Sequence, residues 1–259
     1  MSLTKFVIYH QPRTGSTMLW GILGNHPQIL CEREIFHHVY EKGRGYDYTK
    51  YTTASEYLET VFHPMIEPKH RAFGFKLQAY QARSNMPKDT SPEGELLDIR
   101  DYLRENNYKV IVPYRLHKLE QYISQKVAKA QDIWQRWTLT PDGQKRDDPE
   151  FQIMRINVEE ADFSGWYNWD KKMQQKIETE IEGMDVLRVT YERVLKDWEG
   201  QINRMLAFVN VEQVSGLKAK TKKARERPLW EWIENYEEAC MIHDKYATPY
   251  EIEYRIEHE

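Results

Sequence analysis

A short apolar run, Phe6-Val7-Ile8-Tyr9, gives way to the polar stretch Gln11-Pro12-Arg13-Thr14-Gly15-Ser16-Thr17, and apolar residues of a different period follow. Met18, Leu19, Ile22 and Leu23 recur at helical spacing and stop at Gly24-Asn25-His26-Pro27, where Gly, Asn and Pro are helix-ending residues. Strand, tight polar loop and helix in this order open a phosphate-binding α/β unit. The backbone N–H groups of Thr14 to Thr17 point at one anion, and the helix N-terminus adds partial positive charge. Ser16 and Thr17 bring hydroxyl donors, and Arg13 brings a planar fork of N–H groups. The stretch is not a Walker A loop, which needs G-x-x-x-x-G-K-[ST]: His10 stands at the first glycine position and Ser16 at the lysine position. A plainer reading stays open, a polar turn capping a helix, because Ser and Thr cap helices of every kind.

Further apolar runs repeat the strand signal. They are Phe73-Gly74-Phe75-Lys76-Leu77, then Lys109 to Tyr114 ending at Arg115, then Val186 to Tyr191. Helical patterns over Leu96–Glu105, Leu119–Trp137 and Trp169–Glu182 lie between or after them. Strands separated by helix-length segments predict an α/β fold with a central parallel sheet in three α/β/α layers. One domain over 1–259 is the simplest organisation, with lid or substrate-binding insertions around 43–53 and 138–165, where Gly, Pro and Tyr interrupt the alternation.

Aromatic residues make up 13% of the 259, which speaks against disorder. A net charge of −4 gives no reason to expect nucleic-acid binding across the surface, so an anion site has to be local. Cys31 and Cys240 stand far apart with no ligand-like spacing, which fits a reducing compartment. No stretch approaches the roughly 18 apolar residues of a spanning helix. The first residues lead straight into the opening strand with no secretory segment. A cytoplasmic location without stable membrane insertion is expected; oligomeric state is not legible.

The loop Pro12-Arg13-Thr14-Gly15-Ser16-Thr17 resembles the 5′-phosphosulfate loop of sulfotransferases that use 3′-phosphoadenosine-5′-phosphosulfate (PAPS), in the bacterial and carbohydrate-type branch. The resemblance implies the P-loop-like sulfotransferase fold, with Arg13, Thr14, Gly15, Ser16 and Thr17 holding the 5′-phosphosulfate. Val110 to Ser124 is similar to the second signature of that family, in which a strand-end Arg115 and Ser124 on the next helix hold the 3′-phosphate. The spacing here is about one residue longer than usual. Val186 to Leu195 resembles the Y-E-D-L element, which implies Tyr191 on the adenine side. The run from Leu217 to Arg227 and the following Pro228 to Glu237 resemble the late basic loop and final helix, implying Lys220, Thr221 and Lys222 as further contacts.

Sulfuryl transfer asks for in-line placement, cationic stabilisation of the leaving phosphate and a base for the acceptor proton. Arg13 is the candidate for the leaving group. Glu34, in an E-x-F element, is the candidate base, its pKa lifted by burial, with Glu32, His37 and His38 as competitors. Lys76, from a G-[FV]-K element, is expected in the cleft, holding the sulfuryl group or the acceptor; a lysine snorkelling from a strand end is the alternative. Ion pairing of Glu34 with Arg33 or Arg71 is the competing structural reading. PAPS is the expected co-substrate with no metal, and the acceptor is a small molecule, sugar or lipid bearing a hydroxyl or amine. Trp134, Trp137, Trp166, Trp169 and the tyrosines of 46–51 are candidate stacking platforms, and equally packing residues. Two other function classes stay open: a Mg²⁺-dependent nucleotide kinase or hydrolase with a degenerate loop, and a non-catalytic nucleotide-binding relative.

Overall fold

A computed structural model describes residues 3–36, 51, 53–79, 99–131, 154–219 and 228–258, with side chains as far as 255. Five strands form one sheet: β1 Thr4–His10, β2 Ile29–Glu34, β3 Ala72–Gln78, β4 Lys109–Tyr114 and β5 Val186–Thr190. Every pairing is parallel and the order is β2-β3-β1-β4-β5. The central strand β1 is a continuous apolar run, as a strand covered on both faces has to be. Its residues alternate between two cores. Val7 and Tyr9 face one cluster with Phe73, Phe75, Leu77, Val110 and Val112. Phe6 and Ile8 face the other, with Leu19, Ile22, Leu23 and Ile111.

Helices cover both faces, giving three layers. On the Phe6 face lie α1 Ser16–Leu23, α6 Tyr191–Lys196 and α7 Trp198–Phe208. On the other face lie α2 Ala54–Tyr57, with a wider turn over Leu58–Phe62, and α3 Ile99–Glu105. A third core joins α4 Lys118–Gln131, the 21-residue α5 Glu160–Glu180 and α8 Tyr236–Tyr246. The final helix is α9 Pro249–His258. Among the described residues no helix is long and apolar enough to cross a membrane.

The strand expected at 6–9 runs from Thr4 to His10, and the helix expected from Trp169 begins at Glu160. Residues 160–165, expected inside a lid insertion, therefore open α5, and Ile156 before them bridges to Ile233. Residues 43–50 and 138–153 of the two expected insertions lie outside the described residues.

The topology has a consequence for binding. The chain crosses from β1 to β2 on the α1 face and from β3 to β4 on the opposite face. The carboxyl end of β1 is thus the point where crossovers diverge, which is where open parallel sheets form a ligand crevice. Gly74 allows the close packing beneath it: a Cβ there would lie 2.4 Å from the Phe6 ring.

Candidate anion-binding active site

The loop after β1 has the local geometry its residues suggest. Gly15, at φ +85°, is the N-cap of α1 and offers no side-chain hydrogen bond to the first N–H groups of the helix. A Cβ on Gly15 would meet the Tyr191 ring at 2.5 Å, so the glycine is required by space as well as by conformation. Arg13 is also left-handed, at φ 63°, a state that costs a non-glycine residue about 1 kcal/mol. Three contacts hold that conformation in place. Arg115 Nη1 donates to the Arg13 carbonyl at 3.1 Å, and Arg13 Nε donates to Ser124 Oγ at 2.9 Å. Thr14 Oγ1 donates to the Gln11 carbonyl at 2.9 Å.

Arg115 leaves the end of β4 and is buried, with 6% of its surface exposed. Its guanidinium lies 4.7 Å from the Tyr191 ring centroid. Nη2 pairs with Glu120 Oε2 at 2.9 Å, while Nε is buried with no hydrogen-bond partner. Glu192, after Tyr191, accepts from the backbone N–H groups of Leu116 and His117, which fixes the turn leaving β4. A cavity of about 750 Å³ opens beside this group, lined in part by Leu116, Glu120, Tyr191, Lys196 and Tyr254. Arg13, Gly15, Arg115, Ser124 and Tyr191, which stand apart in sequence, are therefore neighbours.

A second group lies on the α1 face. Lys76 alternates onto that face from β3 and donates to Thr17 Oγ1 at 2.9 Å. It also pairs with Glu34 Oε1 at 2.8 Å, both side chains being almost wholly buried. The snorkelling alternative for Lys76 does not fit this burial, and the partner of Glu34 is neither Arg33 nor Arg71. His10 completes the group, its Nε2 lying 3.6 Å from Glu34 Oε1 and its Nδ1 donating to the Gln11 carbonyl. Burial pulls the His10 pKa down to about 4, with Lys76 adding to the effect, so the ring is neutral near pH 7.

The expected rise of the Glu34 pKa is corrected by this environment. Burial does push the carboxyl up, but Lys76 and His10 outweigh it and hold the group at about 2. The buried carboxyl expected from sequence is ion-paired with Lys76. Of the competing bases, Glu32 is on β2 and half-buried, while His37 and His38 lie outside the described residues. Lys220, Thr221 and Lys222 also lie outside them, as do Trp134, Trp137 and the tyrosines at 46 and 48. Trp166 donates to Gln125 and packs on Tyr122, Trp169 is 36% exposed, and Tyr51 packs on Tyr57.

Sequence reading passed over the support beneath the loop. Asp170 on α5, fully buried, pairs with Lys118 at 2.9 Å and accepts from Gln121 at 3.2 Å. Gln121 reaches the Pro12 carbonyl at 3.1 Å, and Gln11 donates to the Asp170 carbonyl at 3.1 Å. No spacing in the sequence links these residues. Among the described residues no cluster of three or more His, Cys, Asp or Glu has the arrangement of a metal site.

No protein-family model matches this chain, and no curated protein does either. Solved structures do. A sulfotransferase from Alicyclobacillus acidocaldarius aligns over 100% of this chain and 98% of its own, at 11% identity and a TM-score of 0.48. The sulfotransferase domain of the curacin biosynthetic pathway aligns over 89% and 83%, at 11% identity and TM-score 0.45. Retinol dehydratase, in a complex with retinol and PAP, aligns over 95% and 80%, at 11% identity and TM-score 0.44.

Proposed function

We propose that this chain is a sulfotransferase that moves the sulfuryl group of PAPS to a hydroxyl or amine acceptor, releasing adenosine 3′,5′-bisphosphate. The observation that carries the proposal is the junction between two anion-binding elements. Arg115, with a buried Nε left to satisfy, is bonded to the carbonyl of Arg13, whose own Nε is bonded to Ser124. A ligand with an oxyanion at each end and a heterocycle beside one of them suits the loop and Arg115, with the 750 Å³ cavity lined by Tyr191 and Glu120 next to them.

In this reading Arg13 and the first N–H groups of α1, with Thr14, Ser16 and Thr17, hold the 5′-phosphosulfate. Arg115 and Ser124 hold the 3′-phosphate, and Tyr191 flanks the adenosine. Lys220, Thr221 and Lys222 belong to the same reading as further phosphate contacts. PAPS supplies the sulfuryl group: the acceptor oxygen or nitrogen bonds the sulfur in line as the sulfur–oxygen bond to the 5′-phosphate breaks, and the acceptor proton is released to solvent. Arg13 and Lys76 stabilise charge at the leaving phosphate without rearranging, because Ser124, Thr17 and Glu34 already orient them. Glu34 is a weak proton acceptor at a pKa of about 2, and its role here is to position Lys76.

A Mg²⁺-dependent kinase or hydrolase is less well supported. Thr17 stands where the metal-binding hydroxyl of a Walker loop would be, and its Oγ1 accepts a hydrogen bond from the Lys76 ammonium instead. The deciding measurement is calorimetric titration with adenosine 3′,5′-bisphosphate, with Mg²⁺-ATP as control. Arg115→Ala is expected to weaken the bisphosphate by about thirtyfold or more. Unchanged affinity in that variant, or a preference for Mg²⁺-ATP, contradicts the proposal.

A further inference from the structure

The donors of Arg115 are unevenly used. Nη1 is committed to the Arg13 carbonyl, on the side of the guanidinium that faces the loop. Nε and Nη2 share the other edge and point the same way, an arrangement that fits two oxygens of one phosphate or carboxylate. On that edge Glu120 Oε2 pairs with Nη2 at 2.9 Å, and Nε is buried without a hydrogen-bond partner. A guanidinium edge half filled by a monodentate carboxylate is not a completed structural salt bridge. The unmade hydrogen bond costs free energy that a bidentate oxyanion would recover.

Arg115 and Glu120 also differ in exposure. Arg115 is 6% exposed and held by the loop carbonyl and the Tyr191 ring. Glu120 sits in the first turn of α4, its side chain 15% exposed, on the wall of the cavity. A phosphate and a carboxylate repel each other and cannot occupy one guanidinium edge together.

We propose that Glu120 is a built-in competitor for the Arg115 edge, displaced when a nucleotide bearing a 3′-phosphate binds. This rests on the donor reading given above and adds a specificity determinant to it. Glu120 lowers the affinity for 3′-phosphorylated nucleotides and leaves nucleotides without that group almost unaffected, because these have no oxyanion to place on the edge. It thus keeps product-like bisphosphates from binding too tightly to leave.

The test titrates adenosine 3′,5′-bisphosphate and AMP, in parallel, into the wild-type chain, Glu120→Gln and Glu120→Ala. Gln keeps the shape and removes the charge, so it decides the matter should the Ala variant fail to melt cooperatively. Both variants are expected to bind the bisphosphate about tenfold more tightly, with AMP changed by less than about twofold. Bisphosphate affinity that stays level or falls in the folded variants overturns the proposal, as does an equal gain for AMP. Wild-type and variant chains that all fail to bind either nucleotide would sink the donor reading, and the competitor with it. Normal bisphosphate binding that ignores both substitutions would sink the competitor alone.

Discussion

Lys76 and Glu34 are oppositely charged side chains at 3% and 6% exposure, 2.8 Å apart, so each is the condition for the other being buried. Removing one partner of such a pair strands the other charge, at a cost of about 3 kcal/mol or more. Glu34→Gln and Lys76→Met should each destabilise the chain by that order in urea denaturation. Together they should cost clearly less than their sum, since no charge is left stranded. Strictly additive losses would mean that the two do not depend on each other. Single residues also mark where sequence reading ended. Arg13, Gly15 and Arg115 could be singled out from sequence because they sit in a polar loop after a strand or at a strand end, and the structure brings them together. The Lys76–Thr17 bond was not, because strand alternation places Lys76 on the α1 face only once the β1–β3 register is known. The pKa of Glu34 was misjudged for the same reason: its partners come from two other strands.

At the scale of elements, α4 and α5 do more than cover the sheet. Asp170 ties Lys118 and Gln121 on α4 to Gln11 in the loop, and Gln121 extends the tie to Pro12. Asp170→Ala leaves Lys118 buried without its carboxylate. A stability loss of about 3–5 kcal/mol is expected, along with weaker bisphosphate binding because the loop loses its support. Thermal melting and calorimetry on the same preparation check both, and an intact melting temperature would refute the brace. The central strands were readable as elements because a strand buried on both faces is apolar throughout. β2 carries the polar stretch Cys31-Glu32-Arg33-Glu34, as an edge strand permits, and pairs with β3 as far as Glu34, so its far end has no apolar strand signature. The beginning of α5 was missed because the helical pattern was picked up only at Trp169, whereas the described helix starts at Glu160.

Across the molecule, several histidines titrate below their ordinary value, all for one leading reason. Burial lowers His10, His26, His63 and His243. Between about pH 6.5 and 4 the unfolded chain therefore binds protons that the folded chain refuses, so stability falls as the pH drops through that window. Glu34 extends the loss below pH 4.5, since its folded carboxyl stays ionised down to about 2. His10 alone accounts for roughly 3 kcal/mol of this. Urea midpoints should fall steadily from pH 7 to 4.5, and less steeply in His10→Asn; a flat profile contradicts the assignment. One last consequence follows from the lysine that meets Thr17. In a Walker-type loop the cation is carried by the same few residues that bend around the phosphate, whereas here Arg13 of the bend is joined by Lys76, lent by a strand nearly sixty positions later. A nascent chain that has just completed its first helix has the bend and Arg13 but not the second cation. On the proposed reading its full grip on an anion waits until the third strand is laid beside the first, so tight occupancy of the site would report on sheet assembly.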